Sequence, residues 1–98
     1  MPVYGVALID IVDREGYGKY EAGFMAVFEK FEGKLLAVEE EPVTKEGAWP
    51  AKRTVLLEFP SQEAFDRWYH SAEYQGLSKL RLSASKGNFA ALRGLASS

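Results

Sequence analysis

The sequence predicts an α+β fold built on one four-stranded antiparallel sheet. Three observations lead there. Segments rich in Val, Leu and Ile alternate with segments whose aromatic residues recur at steps of three and four. The order reads strand, helix, strand, strand, helix, strand. No stretch of the 98 residues shifts in composition enough to mark a second domain. Residues 1–95 are expected to form a single domain, with residues 96–98 a loose tail.

Val3 to Val12 reads as the first strand. Asp13 then stands where a helix N-cap belongs, its carboxylate free to accept from an early backbone N–H. Val12 and Tyr17 flank it with the spacing of a hydrophobic staple. Tyr17, Tyr20, Phe24, Val27, Phe28 and Phe31 follow as one helical face. A helix over Arg14–Glu32 is expected, with Gly33 as its left-handed C-terminal residue. Lys34–Glu40 is the second strand. Glu41–Ala51, with two prolines, a glycine and Trp49, reads as a loop. Arg53–Phe59 is the third strand, stopped by Pro60. Ser61 can cap a helix over Gln62–Ser83 that faces Ala64, Phe65, Trp68 and Tyr69 inward. His70-Ser71 breaks this helix, and its second part carries Tyr74, Leu77, Leu80 and Ala84 on one side. Lys86-Gly87 turns the chain into the last strand, Asn88–Arg93.

With right-handed crossovers this order gives a ferredoxin-like βαββαβ sandwich, both helices on one face of the sheet. The first strand is apolar on both of its sides: Tyr4, Val6 and Leu8 against Ala7, Ile9 and Ile11. The third strand does the same in part, with Leu56 on the side away from Val55, Leu57 and Phe59. Two helices cover one face only, so a second copy packed sheet to sheet is expected to cover the other. Scattered exposed apolar residues are the plainer alternative.

Composition excludes much chemistry. Without cysteine there are no disulfides, thiolate metal sites, iron–sulfur clusters or cysteine nucleophiles. A single histidine, His70, excludes a multi-histidine metal centre. A net charge of −2 argues against general nucleic-acid binding. No apolar run approaches the roughly 20 residues of a membrane span. No basic segment precedes the first apolar one, so a cytoplasmic protein without a membrane role is expected. No cofactor is expected either. Gly16-Tyr17-Gly18 opens like a dinucleotide fingerprint, but Glu21 stands where its third glycine belongs, and the pair sits inside a helix. Glu39-Glu40-Glu41 alternates across a strand and cannot converge on a cation without a bend.

The remaining candidates are few. His70 is the natural proton carrier, although its place at a helix end also suits a residue that interacts with free helix carbonyls. Ser71 beside it reads as an N-cap. Arg53 and Arg81 can each clamp a carboxylate or phosphate, or each form an ordinary surface ion pair. Trp49, Trp68, Tyr20 and Tyr74 can line a cavity, although most such rings belong to the core. Asn88 has no special standing. Any pocket is expected between sheet and helices, near Arg53, Trp68, His70 and Arg81.

The segment Gly47-Ala48-Trp49-Pro50-Ala51-Lys52-Arg53, then Leu57-Glu58-Phe59-Pro60-Ser61, then Trp68-Tyr69-His70-Ser71-Ala72-Glu73-Tyr74-Gln75 resembles the bacterial family known as domain of unknown function 1330. Tyr17 to Tyr20 and Arg81 also fit, and the resemblance covers nearly the whole chain. Ala72 stands where that family usually has proline. The resemblance implies a ferredoxin-like domain of the dimeric α+β barrel superfamily, which includes cofactor-independent monooxygenases, small isomerases and haem-handling enzymes. The Asn, Trp and haem-ligating His of haem-degrading relatives are not matched in order here.

Two functions compete at this level. One is a small-molecule-binding protein or small enzyme for an apolar metabolite, with an anionic or aromatic group as its handle. Arg53 or Arg81 would hold the anion, Tyr20, Trp49, Trp68 and Tyr74 would form walls, and His70 would move a proton. The other is a non-catalytic dimeric binding or interaction module.

Overall fold

The computed structural model describes residues 1–50 and 52–95. The expected loose tail, 96–98, lies outside the described residues. The elements are β1 (Val3–Ile11), α1 (Arg14–Phe28) with a 3₁₀ turn at Glu29–Phe31, β2 (Lys34–Glu39), β3 (Arg53–Phe59), α2 (Gln62–Tyr69), α3 (Ala72–Ala84) and β4 (Ser85–Arg93). The sheet order is β2-β3-β1-β4, every pair antiparallel. This is the ferredoxin-like arrangement. The Cα envelope measures 40 × 37 × 15 Å, a slab two layers deep.

The helix starts are where short-range chemistry puts them. Asp13 accepts from Gly16 N at 3.1 Å, Ser61 from Ala64 N at 3.1 Å and Ser71 from Tyr74 N at 3.1 Å. Two local expectations are corrected. Val12 is 61 % exposed while Tyr17 is buried, so no staple forms there. The left-handed residue after α1 is Glu32, with φ 66°, and not Gly33. Gly33 is needed for another reason: a Cβ there would run into the Phe28 ring, which is fully buried beneath it.

The last strand also differs. It begins at Ser85, directly after α3, rather than at Asn88. Val12 N and Asp13 N both donate to Ala84 O at 2.9 Å, which ties the end of β1 to the start of β4. Gly87 is therefore inside a strand, not in a turn. A Cβ on Gly87 would lie 2.6 Å from the Leu8 carbonyl oxygen, so the close approach of β4 to β1 requires glycine.

Odd-numbered residues of β1 and β3 face the helices. Val3, Ala7, Ile9, Leu57 and Phe59 are buried there with Tyr17, Tyr20 and Phe28 of α1 and Ala64, Phe65 and Trp68 of α2. On α3 the inward stripe is Tyr74, Ser78, Arg81 and Ala84, with Leu77 partly buried. Leu80, expected inside, is 36 % exposed. Steps of four and three from Tyr74 carry the inward face through Ser78 to Arg81, and position 80 falls beside that stripe.

The opposite face of the sheet has no cover among the described residues. Register puts Val6 beside Leu56 and Ala90, Tyr4 beside Leu92, and Ala37 beside Leu56. Tyr4, Val6, Leu8 and Leu56 are half-buried by their neighbours alone.

Gly87→Ala is expected to lower stability by about 1–3 kcal/mol, the cost of forcing a methyl group into packed backbone. Gly18→Ala, on α1 with nothing within 4 Å of the new Cβ, is expected to raise it by about 0.5–1 kcal/mol. Urea unfolding at neutral pH measures both. Equal effects of the two variants would refute the close-approach account.

Candidate functional site

A cavity of about 250 Å³ lies between the sheet and the helices. The inward side chains of β1 and β3 form its floor: Ala7, Ile9, Val55 and Leu57. Edge strand β2 contributes Leu35 and Val38, whose side chains stay part-exposed and mark the open side. A β-bulge at Leu36 keeps Leu35 and Val38 on the same, helix-facing side. Tyr17, Tyr20, Glu21 and Phe24 come from α1, Trp68 from α2, Tyr74 and Arg81 from α3, and Phe89 from β4.

The walls are mostly aromatic, and the rings pack tightly against one another. Trp68 lies 4.2 Å from Tyr74, 5.6 Å from Phe28 and 5.2 Å from Phe59, centroid to centroid. Tyr20 meets Tyr74 edge-on at 6.3 Å. Their hydroxyl oxygens are 2.9 Å apart and buried. Burial, and then the neighbouring Tyr74 hydroxyl, push the Tyr20 phenol far above its usual range, so it stays protonated. Burial likewise raises Tyr17, although Arg53 opposes it.

The two arginines are in contrasting states. The Arg53 side chain is 11 % exposed and occupied at both ends. Nη2 donates to Glu21 Oε2 at 2.7 Å, Nη1 donates to Glu40, and the guanidinium carbon lies 5.3 Å from the centre of the Tyr17 ring. Burial works against its charge, but Tyr17, Glu21 and Glu40 outweigh that and leave its pKa above the usual value. Arg81 is 9 % exposed and makes no ion pair or side-chain hydrogen bond among the described residues. Its Nε is buried without a partner, as are Trp68 Nε1 and Arg53 Nε. All three donors belong to residues lining this one cavity.

Of the residues singled out from sequence, Tyr20, Arg53, Trp68, Tyr74 and Arg81 are brought together here. Trp49 and His70 are not. Trp49 is 48 % exposed, donates through Nε1 to Thr54 Oγ1 at 2.9 Å, and lines a wider outer cleft with Asp10, Glu40 and Lys52. Arg53 lines both spaces. His70 caps the end of α2, where its backbone N–H donates to Asp66 O at 2.9 Å. Its ring is exposed and stands edge-on to Tyr69 at 5.3 Å. Asn88 pairs with Leu8, on the side of the sheet away from the cavity.

Glu21 escapes sequence reasoning, although its place four residues after Tyr17 puts both on one edge of α1. The run Glu39-Glu40-Glu41 diverges as expected. Glu39 accepts from the Glu41 backbone N–H at 3.1 Å, while Glu40 turns to Arg53. Among the described residues, no three His, Cys, Asp or Glu side chains are gathered as a metal site would need. No helix there is long and apolar enough to cross a membrane.

Comparison with known proteins agrees with this architecture. A protein of unknown function from Rhodopseudomonas palustris, RPA0582, superposes with a TM-score of 0.81 at 20 % identity, covering 98 % of this chain and 84 % of that one. SnoaB, a cofactor-independent oxygenase from Streptomyces nogalater, superposes with a TM-score of 0.69 at 11 % identity, covering 98 % and 95 %. A dimeric ferredoxin-like protein of unknown function from Jannaschia sp. CCS1 gives 0.67 at 10 %, covering 96 % and 100 %. At these identities the likeness concerns the fold. Among curated proteins none matches the sequence. The family profile described as domain of unknown function (DUF1330) matches residues 2–95, a range that spans every described strand and helix, and the chain belongs to that family.

Proposed function

We propose that this protein binds a compact apolar metabolite carrying an anionic oxygen group in the cavity between sheet and helices, and that it does so as a homodimer. One observation carries the binding reading. Among the described residues Arg81 is a buried cation without a carboxylate, in a cavity whose other unpartnered polar atoms are also N–H donors. A buried charge left unpaired costs on the order of several kcal/mol. Water can accept hydrogen bonds from these donors but brings no compensating charge. An anion brings both. Arg53 is less suited to the role, because Glu21 and Glu40 already hold it. Tyr20, Trp68 and Tyr74 supply walls, and His70 and Trp49 take no part.

The homodimer reading rests on the open sheet face. Tyr4, Val6, Leu8 and Leu56 form an apolar centre that nothing in the described chain covers. A second copy offers the same surface, and two sheets can stack about 10 Å apart. The Jannaschia neighbour, described as dimeric, supports this reading.

Arg81→Met is the decisive variant for binding. Calorimetry with small organic acids is expected to show a loss of about 1.5–3 kcal/mol in affinity, the worth of a charged hydrogen bond. Without ligand the variant is expected to be more stable, by about 1 kcal/mol, since an unpaired buried charge is gone. Affinity for acids that survives the substitution would remove Arg81 from the site. For the dimer, sedimentation equilibrium at micromolar concentration is expected to give twice the chain mass. Leu56→Asp should give single chains with their circular dichroism largely kept. A wild-type monomer at all concentrations would refute the interface.

A further inference from the structure

We propose that the ligand is a single-ring aromatic monoanion with a second oxygen acceptor on the ring, its charge held by Arg81 and its second oxygen by the Tyr20–Tyr74 hydroxyl pair. This rests on the binding reading above and narrows it to a substrate class.

Size sets the first limit. Drug-sized ligands occupy pockets of about 300–1,000 Å³, whereas an apolar void of about 150 Å³ accepts benzene. At about 250 Å³ this cavity has room for one ring with small substituents. Shape sets the second. Aromatic walls from Tyr20, Phe24, Trp68, Tyr74 and Phe89 close over an aliphatic floor, and such walls favour a flat ring that can meet them by face or edge.

Charge sets the third limit. The charged residues lining the cavity are Glu21, Arg53 and Arg81. Glu21 is bound to Arg53, so among the described residues one positive charge remains without a partner. One negative charge on the ligand neutralises it, whereas the second charge of a dianion would find no further free cation among the described lining residues.

Hydrogen counting sets the fourth. Each tyrosine hydroxyl has one hydrogen. One of the pair donates to the other across 2.9 Å, and the second hydroxyl's hydrogen is left without an acceptor. Arg81 Nε and Trp68 Nε1 are donors as well. The polar groups left free are therefore donors, and they call for acceptors on the ligand, not for an amine or ammonium. Tyr74 and Arg81 share the inward stripe of α3 about two turns apart. A ring substituted at opposite ends can present its charge to one and its second oxygen to the other.

The test uses the intact protein, calorimetry and five probes: benzoate, 4-hydroxybenzoate, benzamide, cyclohexanecarboxylate and benzylamine. Benzoate is expected to bind about tenfold more tightly than benzamide or cyclohexanecarboxylate, and benzylamine not at all. 4-Hydroxybenzoate should exceed benzoate by about fivefold. In Tyr20→Phe/Tyr74→Phe that advantage should vanish, so that 4-hydroxybenzoate and benzoate bind within about twofold of each other. Removing both hydroxyls together leaves no orphaned partner, so the fold should tolerate it. The wild-type ranking stands as a test by itself if it does not. Equal binding of cyclohexanecarboxylate and benzoate, or a 4-hydroxy advantage that persists in the double variant, would overturn this inference and leave the anion-binding cavity intact. Failure of all three acids to bind would overturn both.

Discussion

Trp68 is the side chain on which core and cavity both depend. It is 1 % exposed, in ring contact with Phe24 and Phe28 of α1, Phe59 of β3, Phe65 of its own helix, Tyr74 of α3 and Phe89 of β4. Every element except β1 and edge strand β2 reaches it with an aromatic ring. Rings are rigid and have few rotamers, so a cluster centred this way fixes the helices over the sheet at one spacing. That spacing leaves the cavity. The indole closes one side of it, and its unpartnered N–H shows that the same residue serves packing and has polar capacity left over.

The sheet divides these tasks by parity. On β1 the odd positions enter the core while the even positions make the open face. A register slip of one residue would exchange the two sets, and both are apolar, so side-chain pattern alone protects the register weakly. Two other devices compensate. Gly87 allows β4 to close on Leu8 where any larger residue would collide. The paired bonds from Val12 and Asp13 to Ala84 O clamp the end of β1 to the end of α3. Register is then set by backbone contacts at the strand ends, and both faces of β1 are free to be apolar.

What was legible in the sequence follows the range of the physics involved. Asp13, Ser61 and Ser71 act over three residues, and their caps stand where the sequence places them. The three- and four-residue spacing of aromatics along α1 is just as local. The start of β4 is not. Ser85-Lys86-Gly87 has turn composition, and only pairing with β1, distant in the chain, makes it a strand. Gly33 was legible as a necessary glycine, but its reason is the distant-facing ring of Phe28 and not its own dihedral angles. At the site, residue chemistry marked Arg53, Arg81 and the aromatic rings. It could not separate His70 from them, because one residue beyond the end of α2 is enough to leave a side chain in solvent.

The contrast between the two arginines shows why the unpaired one is informative. Arg53 opens β3 within reach of Glu21 on α1 and Glu40 just beyond β2, and these carboxylates make its burial affordable. Arg81 stands on α3 about two turns beyond Tyr74, in a cavity lined mostly by aromatic and apolar residues, and pairs with no acid among the described residues. A methionine there would fill the same space without the desolvation cost. Folding therefore does not account for a guanidinium at position 81. Tyr20 and Tyr74, in contrast, hydrogen-bond to each other, so one of their two hydroxyl hydrogens already has its acceptor and neither group carries a charge. On the proposed binding reading, the largest desolvation cost in the cavity thus falls on the charge that an anion would neutralise. That distribution is expected of a protein whose stability is spent where binding recovers it.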